Sequence, residues 1–167
     1  MKRTLYLVRH AKSSWDNPEL DDFDRPLNDR GKRDAPRMAR RMKEREIVPD
    51  LLYSSPAARA LKTCKEFAKV LGIKESAIKT DPELYHAGAD LLLKKIQGLN
   101  DKHDMVMVFG HNPGLTEFAN LLTGKHILNI PTAGVVAIRF KSGSWKAIGE
   151  GTGKLEFFDF PKRGAEG

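Results

Sequence analysis

The sequence predicts an α/β fold: a single domain with a mixed, mostly parallel sheet, helices on both faces and a C-terminal antiparallel hairpin. Three observations predict it. The runs Thr4-Leu5-Tyr6-Leu7-Val8 and Met105-Val106-Met107-Val108-Phe109 are near-continuous apolar stretches, the pattern of strands buried on both faces. Between them lie segments whose apolar residues recur at helical spacing. After Thr132 the pattern changes: Val135-Val136-Ala137-Ile138-Arg139-Phe140 and Trp145-Lys146-Ala147-Ile148 are split by Lys141-Ser142-Gly143-Ser144, which reads as a hairpin.

The elements follow in order. The opening run ends in Arg9-His10, at the strand end where open α/β sheets place their ligands. Residues 11–29 form a long polar loop broken by Asn17-Pro18 and Arg25-Pro26, and long loops in compact domains are commonly functional. Asn28 or Asp29 caps a helix that runs to about Arg45, with Ala35, Met38, Ala39 and Met42 on one face. Pro36 predicts a kink or restart in it. Asp50-Leu51-Leu52-Tyr53-Ser54 is a short strand, and Ser55-Pro56 supplies an N-cap and a first helical residue. Leu61, Cys64, Ala68 and Leu71 form the stripe of that helix, Arg59 sits in its first turn, and Gly72 ends it.

Residues 77–80 suggest a short edge strand and residues 81–86 a loop. Asp90 caps a helix carrying Leu92, Leu93, Ile96 and Leu99. The 105–109 strand ends in Gly110-His111-Asn112-Pro113-Gly114, which opens a helix with Leu115, Phe118, Ala119 and Leu122 on one face. Residues 155–160 add a last strand, so one domain spans 1–160 and residues 161–167 fray.

Composition narrows the function. The 167 residues, 40% hydrophobic and 31% charged, suit one ordinary domain. No apolar run approaches the ~20 residues of a membrane span. Met1-Lys2-Arg3-Thr4 leads straight into the first strand, leaving no room for a signal peptide. Cys64 is the sole cysteine, so intrachain disulfides and Cys-based zinc sites are excluded and a cytoplasmic location is expected. Of the net charge of +7, most lies in residues 30–46, with eight Lys/Arg against three Asp/Glu. That segment reads as a solvated helix face or as a docking face for an acidic partner. No aromatic-rich basic strand or zinc-finger spacing accompanies it, so nucleic acid is not the expected partner.

Three strand-to-helix transitions deliver matching groups: Arg9-His10, Arg59 and His111. If the strands are neighbours and parallel, two arginines and two histidines converge on one edge of the sheet. Their natural partner is an anion, which the free N–H groups of the helix after His111 also favour. One neutral imidazole can attack phosphorus while the other groups stabilise charge on the equatorial oxygens. This design calls for no cofactor and no metal, and the sequence offers no evident carboxylate cage for Mg²⁺.

Leu7-Val8-Arg9-His10-Ala11-Lys12-Ser13-Ser14-Trp15 resembles the Arg-His-Gly motif of the histidine phosphatase superfamily. Leu52-Tyr53-Ser54-Ser55-Pro56-Ala57-Ala58-Arg59-Ala60 looks like its second arginine motif, and Gly110-His111-Asn112-Pro113-Gly114-Leu115 like its second histidine motif. The short chain, Arg25-Pro26-Leu27 with Gly31 beyond, and His111-Asn112-Pro113-Gly114-Leu115 most resemble SixA-type phosphohistidine phosphatases. The resemblance implies that His10 is the nucleophile and that Arg9, Arg59 and His111 hold phosphate, with Arg25 at the rim.

It also implies a metal-independent phosphatase acting on phosphohistidine in a protein and releasing inorganic phosphate. A small phosphate ester as substrate, or phosphate binding without turnover, are the alternatives. The chain departs from the superfamily at three places. Ala11 replaces the motif glycine, and Asp16 stands where the phosphoglycerate mutase branch has asparagine. Glu83, the nearest counterpart of that branch's general acid, precedes Gly88 by five residues rather than four.

Overall fold

The computed structural model describes residues 2–166, with side chains to Arg163. Its centre is a six-stranded sheet formed by β1 (Arg3–Arg9), β2 (Leu51–Ser54), β3 (Lys79–Thr80), β4 (Met105–Gly110), β5 (Val135–Phe140) and β6 (Lys154–Asp159), in the order β3-β2-β4-β1-β5-β6. β4 lies parallel between β1 and β2, and β3 is parallel to β2. β5 and β6 add antiparallel. The pairs Arg9 with Gly110 and Ser54 with Phe109 put the carboxyl ends of β1, β2 and β4 level with one another.

Alternation along β1 divides the core in two. Leu5 and Leu7 face one layer with α3 (Ala89–Gln97) and α4 (Gly114–Thr123). Tyr6 and Val8 face the other, with α1 (Asp29–Glu44) and α2 (Ala58–Leu71). Helices therefore cover both faces, which is why the central strands carry no polar alternation.

α1 starts on Asn28, whose side chain accepts from the Gly31 N–H. It runs on through Pro36 as one helix, so the alternative of a restart there is corrected. The buried row of Ala35, Met38, Ala39 and Met42 holds it in place across the missing hydrogen bond. Gly31 is required by a close approach: a Cβ there would lie 2.2 Å from the Lys12 carbonyl oxygen. That contact ties the start of α1 to the loop leaving His10. α2 begins at Ala58, later than Ser55-Pro56 suggested; the Ser55 hydroxyl instead accepts from the Ala57 N–H.

The hairpin partner is also corrected. Trp145–Ala147 is a 3-10 turn, and β6 is the strand that pairs with β5. The Trp145 indole N–H donates to the His103 carbonyl and its backbone N–H to Asp101. Those bonds hold the segment against the start of β4 rather than beside β5. Pro161–Glu166 forms a short helix, α5, where fraying was expected; Gly167 lies outside the described residues. Arg41 holds this turn by donating to the Phe160 and Pro161 carbonyls.

Candidate active site

The aligned ends of β1, β2 and β4 open into a cleft of about 570 Å³ walled by Arg9, His10, Arg59, His111 and part of the 11–28 loop. Topology brings these four together. β4 sits between β1 and β2, so residues just past each strand end become neighbours. The two imidazole rings lie 5.2 Å apart, centre to centre.

His10 is buried, and its Nδ1 donates to the Ala11 carbonyl at 2.8 Å. That bond fixes the tautomer and leaves Nε2 with its lone pair, which accepts a long 3.4 Å hydrogen bond from Arg59 Nε. Burial, with the nearby Arg59 and Arg9 charges, pushes the His10 pKa down to about 4. His111 Nε2 lies 2.8 Å from the Ser55 hydroxyl. That hydroxyl accepts from the Ala57 N–H and has a proton of its own to give to Nε2. In the tautomer that takes this proton the ring hydrogen is on His111 Nδ1, which is buried without a partner among the described residues. Burial and the neighbouring His10 push its pKa down to about 3. Both rings are therefore neutral at neutral pH.

Arg9 donates from Nη1 to the Ile130 carbonyl, while its Nε is buried without a partner. No carboxylate pairs with it among the described residues. Burial and the Arg59 charge push its pKa down, the sign of a cation short of counter-charge. Arg59, buried at the first turn of α2, donates to the Asp22 carbonyl at 2.6 Å and to the Asp22 carboxylate at 2.9 Å.

Arg25 is more than a rim residue. It is buried, donates to the Ser14 carbonyl, the Ser13 hydroxyl and Asp22, and stacks 3.1 Å from the ring centre of Trp15. Trp15 is 76% exposed. Asp16 also lines the cleft wall. Glu83 does not: its carboxylate pairs with Lys95 at 3.0 Å, outside the cleft. The structure thus separates the residue offered as a general acid from the four that converge.

Two residues, one in the cleft and one beside it, were missed from the sequence. Asp22 lies on a 3-10 turn of the loop and bonds Arg59, Arg25 and the Tyr85 hydroxyl. Tyr85's hydroxyl, with Arg59 and Arg25, holds the Asp22 carboxyl well below the usual carboxylate range. Neither residue sits at a strand end or within a motif, and only tertiary packing brings them together. Tyr85 also presents its edge to His111 and lines a second hollow of about 270 Å³ with His86 and Glu117.

Anion-seeking groups, a neutral imidazole nitrogen with its lone pair and a loop wall suit phosphoryl chemistry, and comparison with known proteins agrees. Residues 5–89 match the family model of the histidine phosphatase superfamily, branch 1. An uncharacterized chloroplastic protein of Arabidopsis thaliana is 33% identical over 93% of this chain and 77% of its own length. The crystal structure of the putative phosphohistidine phosphatase SixA from Agrobacterium tumefaciens superposes with a TM-score of 0.81 at 29% identity, covering 95% of this chain and 98% of that one. The protein histidine phosphatase SixA complexed with tungstate shares the fold, with a TM-score of 0.82 at 21% identity over 96% and 98% of the two chains. With the family match spanning the first arginine and histidine and the SixA fold covering the rest, the chain belongs to branch 1 of the histidine phosphatase superfamily and is a phosphatase.

Proposed function

We propose that the chain hydrolyses phosphohistidine in a protein, through a phosphoenzyme formed on His10. The observation that carries this reading is the anchoring of His10. Nδ1 is committed to Ala11, so Nε2 keeps its lone pair in a buried cleft that holds the ring neutral. Nε2 attacks phosphorus, forming a P–N bond as the substrate's own P–N bond breaks. The departing imidazole nitrogen keeps the electron pair and takes a proton from solvent. Water then attacks the phosphorus on His10, the electron pair returns to Nε2, and inorganic phosphate leaves. Arg9, Arg59 and the Nδ1–H of His111 receive the equatorial oxygens, and Arg25 steadies the loop wall.

The leaving group argues for phosphohistidine over an ester. An alkoxide needs a proton donor, whereas an imidazole leaves with far less help. Glu83 is turned away, and Asp22 is held ionised by its donors. One observation favours the ester reading: Glu117 lines the hollow beside Tyr85 and His111 and has no ion-pair partner among the described residues. On that reading Glu117→Gln removes turnover of a sugar phosphate.

The deciding experiment measures phosphate release from a phosphohistidine peptide with EDTA present, by wild type and by His10→Ala, with circular dichroism to verify folding. Release by wild type alone is expected. Equal release by a folded His10→Ala overturns the nucleophile.

A further inference from the structure

A basic groove leads out of the cleft. The cleft shares Ser14, Asp16 and Asn28 with an adjoining hollow of about 430 Å³. That hollow shares Arg30 and Lys32 with another of about 680 Å³, which carries Arg33, Arg37 and Arg40 of α1 and Lys162 beside them. The three adjoin through these shared residues; the connecting hollow also carries Asp16 and Asp29, so the basic part is the outer one, which follows the exposed face of α1.

Much of the charge on this face is not neutralised among the described residues. Asp34 is buried and takes Arg30 and Arg37 at 3.5 and 3.9 Å. Lys32, Arg33 and Arg40 are exposed and form no ion pair among the described residues. Arg41, by contrast, is spent on Asp159 and the α5 turn, so it belongs to the fold and not to this surface. Arg33 and Arg37 stand one helical turn apart, a spacing at which like charges repel and cost helix stability. A helix that accepts this cost along a groove entering the active site suits an anionic ligand.

We propose that the α1 groove docks an acidic segment of the protein that carries the phosphohistidine, an inference that rests on the protein-substrate reading above. The N-cap Asn28 to Arg40 spans about 18 Å of helix, the reach of roughly five or six extended residues. Neither outer hollow is lined by an aromatic side chain, so the stacking platform that single-stranded nucleic acids use is missing there. Carboxylates on a peptide meet the groove by charge alone. Binding of this kind raises the encounter rate and lowers KM, and salt weakens it.

The test uses a phosphohistidine peptide bearing a run of six Asp/Glu on one flank, made in both orientations, and a matched peptide with a Gly/Ser flank. Wild type is expected to show about tenfold higher kcat/KM on the better acidic peptide at low salt, lost at high salt. The variant Lys32→Glu/Arg33→Glu/Arg40→Glu is expected to erase that advantage through KM, leaving kcat and turnover of the Gly/Ser peptide unchanged. Equal kcat/KM for acidic and neutral peptides, or a variant that lowers kcat on both, overturns the groove. Fluorescence anisotropy with the unphosphorylated acidic peptide keeps the two readings separate. Salt-sensitive binding lost in the triple variant supports the groove even if no phosphohistidine peptide is hydrolysed. A single-stranded oligonucleotide of equal charge that outcompetes the acidic peptide overturns it in favour of nucleic acid.

Discussion

Strand β1 carries an arginine at each end, and the two are treated in opposite ways. Arg3, 1% exposed, donates to the His103 and Gly143 carbonyls and to Asp104, with Asp101 at 3.7 Å and the Trp145 ring 5.4 Å away. Arg9 has one carbonyl, Ile130, and no carboxylate among the described residues. The first arginine brings its own counter-charge and is part of the fold. The second lacks one, beside a buried imidazole, and suits an anion supplied from outside. Burial alone does not separate structural from functional cations; the missing counter-ion does.

Exchanging each for an uncharged side chain breaks the comparison if it is wrong. Arg9→Met is expected to lower kcat/KM by about 10²–10³-fold, the usual effect of losing one preorganised donor to a developing charge. Its melting temperature should hold or rise, since an uncompensated buried charge is removed. Arg3→Met is expected to keep turnover per folded molecule and to lose about 2 kcal/mol of stability, because carbonyls and carboxylates lose their donor. For a chain of this length that is a fall of about 4–8 °C. Thermal melts with kinetics on the same preparations decide it. A strongly inactive Arg3→Met, or an Arg9→Met that only loosens the fold, would remove the distinction.

The Arg9 side of this contrast was legible in the sequence, for a physical reason. Strands buried on both faces write themselves as unbroken apolar runs, so β1 and β4 were plain, and their ends pointed to Arg9, His10 and His111. Arg59 followed from the short strand before it. The pattern failed where tertiary bonds outweigh periodicity. Trp145-Lys146-Ala147-Ile148 looks like a strand, yet two hydrogen bonds to the segment before β4 turn it into a 3-10 turn. Glu83 sits near the right place in sequence, but Lys95 draws its carboxylate away. Asp22 and Tyr85 meet across 63 positions through a loop with no periodicity, and no local signal could have paired them.

The two histidines make the Arg9 end the pH-sensitive one. Burial, with the arginines beside them, holds His10 near 4 and His111 near 3, whereas unfolded histidines titrate near 6.5. Between those values the unfolded chain binds more protons than the folded one. Stability therefore falls as pH drops from about 6.5 towards 4. Melting temperature should decline through that window in the wild type, and less steeply in His10→Ala, which removes one of the two groups. Arg3→Met should keep the wild-type slope, because no histidine side chain bonds Arg3. NMR titration of the free protein is expected to show both cleft imidazoles neutral at pH 6. Either ring titrating near 6.5 would remove the basis for a neutral nucleophile.

Asp22 tests the comparison most finely, because it is the cleft carboxylate that pairs with arginines at this end of the sheet. It pairs with Arg59 and Arg25 and leaves Arg9 alone. Its bonds use the Nη1 and Nη2 groups of Arg59 and leave Nε directed at His10. Two effects then compete in Asp22→Asn. Losing a negative charge beside the anion seat strengthens phosphate binding by about 1 kcal/mol, roughly fivefold, at contact distances in water-like surroundings. Losing the charged anchor frees Arg59 to wander, which lowers kcat. The Asp22 carbonyl, the shorter of the two Arg59 contacts, remains in the variant, so the charge effect is expected to win in binding. Product phosphate should inhibit the variant a few-fold more tightly, with kcat reduced by less than tenfold. Weaker phosphate inhibition would mean that Asp22 orients Arg59 more than it repels the anion, and the Arg59 side of the cleft would then resemble the self-neutralised Arg3 end.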